Sequence, residues 1–124
     1  MTHFVRWQRV EGLLILLAGL VIAWQVDSSL AWWAALLLFF APDLSFLGYG
    51  LGPKLGGAIY NSVHVYAFGV IVLAAGMVLA MPFVAAMGAL WFSHCGFDRA
   101  LGYGLKSPES FSDTHLGRIG KHKP

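Results

Sequence analysis

Four long apolar runs, parted by short polar or glycine-rich breaks, make up most of the chain. They cover about residues 8–26, 30–49, 55–80 and 82–103. Each is close to the ~20 residues a helix needs to cross a ~30 Å hydrocarbon core at about 1.5 Å per residue. Helices are the expected form, because hydrocarbon offers exposed backbone amides no partners. The breaks are "DSS" at Asp27–Ser29 and "GLGPKLGG" at Gly50–Gly57, and Pro82 suits the first turn of a helix that follows a tight hairpin. The pattern predicts an all-α polytopic integral membrane protein, with four transmembrane helices in an up-down bundle over residues 1–105. A polar tail, residues 106–124, follows.

Composition agrees. Of 124 residues, 58% are hydrophobic and 11% charged, and the mean hydropathy is +0.70. Ordinary soluble domains are about 45–50% apolar and about 25% charged, so water could not be the solvent for this surface. The single cysteine, Cys95, excludes an internal disulfide framework. A net charge of +2 is too small to argue for nucleic acid. Arg6 and Arg9 before an apolar run resemble a signal-peptide start, but no small-x-small cleavage site follows and Glu11 would interrupt the apolar region. The first segment is therefore expected to be a retained helix.

Charge sets the orientation. Arg6 and Arg9 precede the first helix, Lys54 lies between the second and third, and Arg99, Lys106, Arg118, Lys121 and Lys123 follow the core of the fourth. The other two loops carry Asp27 and no Lys or Arg. All basic positions thus fall on one side, which predicts that both termini are cytoplasmic, in a bacterial inner membrane. On that side Arg99 is expected to meet lipid phosphates, Cys95 to serve packing, and the pairs Gly12/Gly19 and Gly69/Gly76 to permit close helix approach.

The polar residues inside the runs gather at one level. Glu11 lies near the cytoplasmic start of the first helix, Asp43 and Ser45 toward that end of the second, Asn61 and His64 within the third, and His94 and Asp98 near that end of the fourth. A carboxylate in a bilayer costs several kcal/mol by insertion scales unless it is paired or hydrated, so such groups face the bundle interior and each other. The alternative is that each caps a helix or snorkels to headgroups. His94 and Asp98, spaced i, i+4, share a helical face and can grip one metal ion, or the carboxylate can orient the imidazole. Asn61 and His64 are i, i+3, and Pro42 interrupts the helical ladder where Asp43 could turn inward. Asp113 and His115 in the tail add a carboxylate and an imidazole on the same side.

The motifs "APDLSFLGY" (Ala41–Tyr49), "YNSVH" (Tyr60–His64), "HCGFDRALGYGLK" (His94–Lys106) and "FSDTHLGRIG" (Phe111–Gly120) resemble those of small bacterial membrane proteins grouped as domain of unknown function 4260. The resemblance covers nearly the whole chain; it implies a four-helix membrane protein and brings no known activity. A more distant similarity is to membrane-bound metal-dependent hydrolases, which carry PDxD, a His-rich helix start and an HxxxD segment. Here Ser45 stands in place of the second Asp, and "NSVH" keeps one histidine.

These readings converge on a cytoplasm-facing divalent-metal site, zinc-like, in a membrane hydrolase acting on a lipid-like substrate. The expected ligands are His64, His94 and Asp98, with His115 from the tail. Asp43 and Glu11 are the candidate general base and proton shuttle, and Asn61 and Ser45 the candidate cofactor-binding groups. The alternatives are a non-enzymatic bundle that binds lipid or holds haem between His64 and His94, a small transporter with a proton relay through Glu11, Asp43 and Asp98, or a partner-binding subunit. A relay needs polar lining through the whole bilayer, which only a homo-oligomer could supply here.

Overall fold

The computed structural model describes residues 3–106 and 112–119, the side chains of Asp113 and Arg118 excepted. The rest of the tail, with Lys121 and Lys123, lies outside the described residues. The described chain is helical apart from one small ribbon. Its helices are α1 (His3–Val26), α2 (Trp32–Phe40), a 3₁₀ helix (Ala41–Leu51), α3 (Pro53–His64), α4 (Tyr66–Val78) and α5 (Pro82–Leu101). Strands β1 (Asp113–Thr114) and β2 (Gly117–Arg118) pair antiparallel, and Thr114 also bridges to Lys106.

Two of the four apolar runs are not single α-helices. The second gives way to 3₁₀ geometry at Ala41–Leu51, where Pro42 withholds an amide from the ladder and Pro42 itself is fully buried. The third breaks at Val65, whose ψ of 146° is extended, and α3 and α4 meet at a 46° bend. The ends of α5 follow local chemistry. Pro82 opens it, and Gly102 (φ 92°) closes it with Tyr103 N–H donating to the Asp98 carbonyl at 2.8 Å, a left-handed cap that favours glycine.

α5 is the hub, with α1, α4 and α2 packed on it. Small residues set the approach: a Cβ on Gly12 or Gly19 would come within 2.6 Å of the Arg99 or Ser93 Cβ, and one on Gly69 within 2.5 Å of the Phe92 amide. The two glycine pairs therefore let α1 and α4 press their backbones against α5, as dispersion-driven packing between apolar helices requires. Ala23, Ala89, Leu90 and Phe92 form the core at this junction.

Outside, the polarity is inverted relative to a water-soluble protein. Leu13, Leu14, Leu17, Val21 and Trp24 on α1, and Trp32, Leu36, Leu37, Leu44 and Leu47 beyond it, are exposed, Leu47 by 81%. An apolar surface this continuous is suited to hydrocarbon rather than water. His3–Val26 and the 20-residue stretch Trp32–Leu51 are long and apolar enough to cross a membrane, and the bent pair α3–α4 makes a third if it is one span. The predicted fourth span, α5, is 20 residues long but carries Ser93, His94, Asp98 and Arg99 buried among the other helices. Its apolarity is lower because its neighbours, not lipid, surround it.

Candidate metal centre

The break at Val65 leaves carbonyls near the α3–α4 junction in need of donors, and one face of α5 supplies them. The Trp91 indole donates to the Val63 carbonyl at 2.9 Å, and the Arg99 guanidinium donates to the His64 carbonyl at 2.7 Å and the Tyr103 carbonyl at 3.2 Å. Cys95, fully buried between them, points its thiol at the Val63 and Val65 carbonyls. Trp91, Cys95 and Arg99 are spaced by four and so form one stripe. Arg99 is 3% exposed and lies 5.6 Å from the Tyr66 ring centroid. The expectation that it meets lipid phosphates at the surface is corrected: its guanidinium is buried and donates to the His64 and Tyr103 carbonyls inside the protein.

With α3 held this way, His64 at its last residue faces the His94/Asp98 stripe of α5, and the first turn of the 3₁₀ helix brings Asp43 to the same point. Four donor atoms, one each from Asp43, His64, His94 and Asp98, lie within 4.8 Å of one another. The contacts are His94 Nε2–Asp43 Oδ1 at 3.0 Å, His94 Nε2–Asp98 Oδ2 at 3.3 Å, and His64 Nε2 at 3.5 Å from each of the same two oxygens. His64 and His94 are fully buried, and the Asp98 side chain is 9% exposed against 37% for Asp43.

The tautomer of His64 follows from its partners. Its Nδ1 is 2.9 Å from the Tyr60 carbonyl. A carbonyl only accepts, so Nδ1 carries the hydrogen and Nε2 of the neutral ring presents a lone pair. That lone pair makes no hydrogen bond and faces two carboxylate oxygens. His94 Nε2 is hydrogen-bonded to Asp43, whereas the His64 lone pair between two carboxylate oxygens has no donor and marks a position that a cation, a proton on the imidazole or a metal ion, can fill. Ligands about 2.0–2.1 Å from a tetrahedral ion stand about 3.3–3.4 Å apart, and the four separations above bracket that value. The donor set, two imidazoles and two carboxylates, is one that zinc and related divalent ions accept.

The surroundings hold these ligands in place. The Tyr60 ring stacks on His64 with centroids 3.7 Å apart, and its hydroxyl reaches Asp98 Oδ2 at 3.5 Å. An imidazole whose other nitrogen donates to a carbonyl is oriented as metal-binding histidines are. His94 is fixed differently, by the edges of Phe39 and Phe40 at 5.4 and 5.9 Å, and its Nδ1 is buried with no hydrogen-bond partner among the described residues. Neither Tyr60 nor Lys106 is among the site residues the sequence suggests, although an aromatic one turn before a histidine is there to be read.

The other expected site residues lie elsewhere. Glu11 is on the exposed face of α1 and is not among the converging groups. The Asn61 amide clamps the backbone of Lys106, donating to its carbonyl at 2.8 Å and accepting from its N–H at 2.7 Å, so it is occupied with holding the chain that leaves α5. Ser45 Oγ is buried without a hydrogen-bond partner among the described residues, outside the cluster. His115 accepts from the Leu105 amide at 2.8 Å through Nδ1 and joins no ligand group; burial and the Arg99 charge lower its pKa. A haem between His64 and His94 does not fit, since both carboxylates touch both imidazole nitrogens where a porphyrin would pass.

A cavity of about 340 Å³ opens beside the cluster, with Asp43 and Asp98 in its wall and Phe46, Phe97 and Ile119 around them. Lys106 also lines it, 5% exposed, its Nζ 5.1 Å from the Tyr60 ring centroid. Burial pushes the Lys106 ammonium down to about 8. No curated protein and no solved structure matches the chain. The family model described as Domain of unknown function (DUF4260) matches residues 5–119, and the chain belongs to that family.

Proposed function

We propose that this chain is a membrane-embedded metalloprotein that binds one divalent ion, zinc-like, through His64, His94 and Asp98, with Asp43 beside it as general base and the fourth position open to water, and uses it to hydrolyse a lipid-like substrate. One observation carries the reading: a lone pair of His64, fixed by the Tyr60 carbonyl, meets two carboxylate oxygens at 3.5 Å, with a second imidazole in the same group of donor atoms within 4.8 Å of one another. When bound, such an ion supplies Lewis acidity and can bring the pKa of its water to about 7. Asp43, the most exposed of the four and in the wall of the cavity with Asp98, is placed to accept a proton from a group entering there. Its role as base replaces the pair with Glu11, which sits apart. The exposed apolar helices and the apolar half of the cavity support a substrate that arrives from the bilayer. The distribution of Lys and Arg supports four crossings with both termini cytoplasmic, in a bacterial inner membrane.

Elemental quantification of protein purified in detergent tests this. The expected result is about one divalent ion per chain in the wild type and none in His94→Ala. An ion-free wild type that also fails to take up added zinc would overturn the proposal.

A further inference from the structure

We propose that residues 112–119 form a strap that closes the cavity beside the Asp43/His64/His94/Asp98 cluster, with His115 as its latch. The inference concerns how that site is reached, and it rests on the cavity rather than on an ion bound beside it. The strap supplies part of the cavity wall, since Ile119 lines it together with Asp43, Phe97 and Asp98. The place of Ile119 is set by its own segment, its amide donating to the Ser112 carbonyl at 2.8 Å where the β1–β2 pairing ends. A ribbon with two residues in each strand is too small to hold itself in place. Its position therefore depends on what it is tied to, and the ties run to the segment that leaves α5. The His115 amide donates to the Leu105 carbonyl at 3.1 Å, the Leu105 amide donates to His115 Nδ1 at 2.8 Å, and Thr114 bridges to Lys106. Only the imidazole brings a side chain to these ties, and its ring rests on Gly104, where a Cβ would come within 2.6 Å of Nδ1. The edge it grips is firm, because Asn61 of α3 holds the Lys106 backbone by both its N–H and its carbonyl. A wall fastened by so few bonds opens at low cost, which suits passage to a cluster whose histidines are fully buried.

The test places a cysteine in the cavity wall, Phe97→Cys, and measures its labelling by a charged, water-soluble maleimide on full-length protein in detergent. The wild type, whose Cys95 is fully buried, sets the background. The reporter is compared with versions carrying His115→Phe, which keeps a ring over Gly104 and loses the acceptor, or His115→Asn, whose Oδ1 can accept in place of Nδ1. Hydrogen–deuterium exchange at Leu105, across 112–119 and along α5 is followed in each. One hydrogen bond of ordinary net worth changes an opening equilibrium by about three- to tenfold. Labelling and exchange of the strap are both expected to rise by about that factor in the Phe variant and to stay near the reporter's values in the Asn variant, with α5 unchanged. Unchanged strap exchange in the Phe variant, or an equal rise in the Asn variant, overturns His115 as the latch. Faster exchange with unchanged labelling overturns the strap as the cover of the cavity. Exchange that rises along all of α5 as well means that the ribbon opens only with the whole fold, and overturns the strap too. A wild type that holds no zinc sinks the metal reading alone and leaves these comparisons intact.

Discussion

Two stripes on α5 bury polar groups side by side, and they solve the cost of burial in opposite ways. On the Trp91/Cys95/Arg99 stripe, each donor meets a carbonyl freed near the Val65 break. On the His94/Asp98 stripe, His94 is hydrogen-bonded to Asp43, but the His64 lone pair meets two carboxylate oxygens and no donor, Asp43 and His64 being brought in from two other elements. The first stripe is complete within the protein. The second leaves the His64 Nε2 unpartnered among the described residues, at a point where a metal ion could bind. A buried polar network that lacks nothing holds a structure together, whereas one built around a missing positive charge marks a place for a ligand.

The largest effect should come from breaking the second stripe. Asp98→Ala removes a ligand and is expected to weaken zinc affinity by more than about a hundredfold, beyond what loss of an outer-shell partner costs. Competition against a chelator, with circular dichroism to show retained helix, measures it; unchanged affinity would detach Asp98 from the centre. Breaking the first stripe should act on stability instead. Arg99→Met leaves the His64 and Tyr103 carbonyls without their donor and should cost about 3 kcal/mol in detergent unfolding. Its zinc affinity should fall by a smaller factor than that of Asp98→Ala, because His64 loses its anchor but not its lone pair. The reverse ranking would erase the distinction between the stripes.

Trp91→Phe removes a single hydrogen bond to the Val63 carbonyl and should lower stability by about 1 kcal/mol with zinc content unchanged. Smallest of all is Glu11→Gln. Its side chain is exposed on α1 and is not among the converging groups, so zinc content and stability should match the wild type. A marked loss of zinc there would restore Glu11 to the site.

Much of this was legible in the sequence, for reasons that also explain what was not. The apolar runs and their breaks locate the helices, because hydrocarbon-facing segments must be continuous. Asp43, His64, His94 and Asp98 could be grouped because ionisable residues at one depth in a membrane protein must find each other. The break at Val65 was invisible: neither Pro nor Gly stands there, and the carbonyls it frees are capped from α5, a tertiary event. Arg99 was misread for a related reason, since a charge near a helix end ordinarily marks the membrane surface and here fills a junction. Asn61 was placed at the right depth with the wrong task, because a side-chain amide matches a peptide group and Lys106 offered one. His115 lies on the same side of the molecule as the cluster but engages the Leu105 amide beside Gly104.

The claim at the centre is that an ion, rather than a proton, resolves the convergence of Asp43, His64, His94 and Asp98. X-ray absorption at the zinc edge of the zinc-loaded protein tests it most directly, because it reads the donor atoms themselves. The account predicts a first shell of nitrogen and oxygen only, at about 2.0–2.1 Å, with the outer-shell scattering of two imidazoles that drops to one in His64→Ala. A shell containing sulfur, which would implicate Cys95, or a spectrum indifferent to His64→Ala, would contradict it.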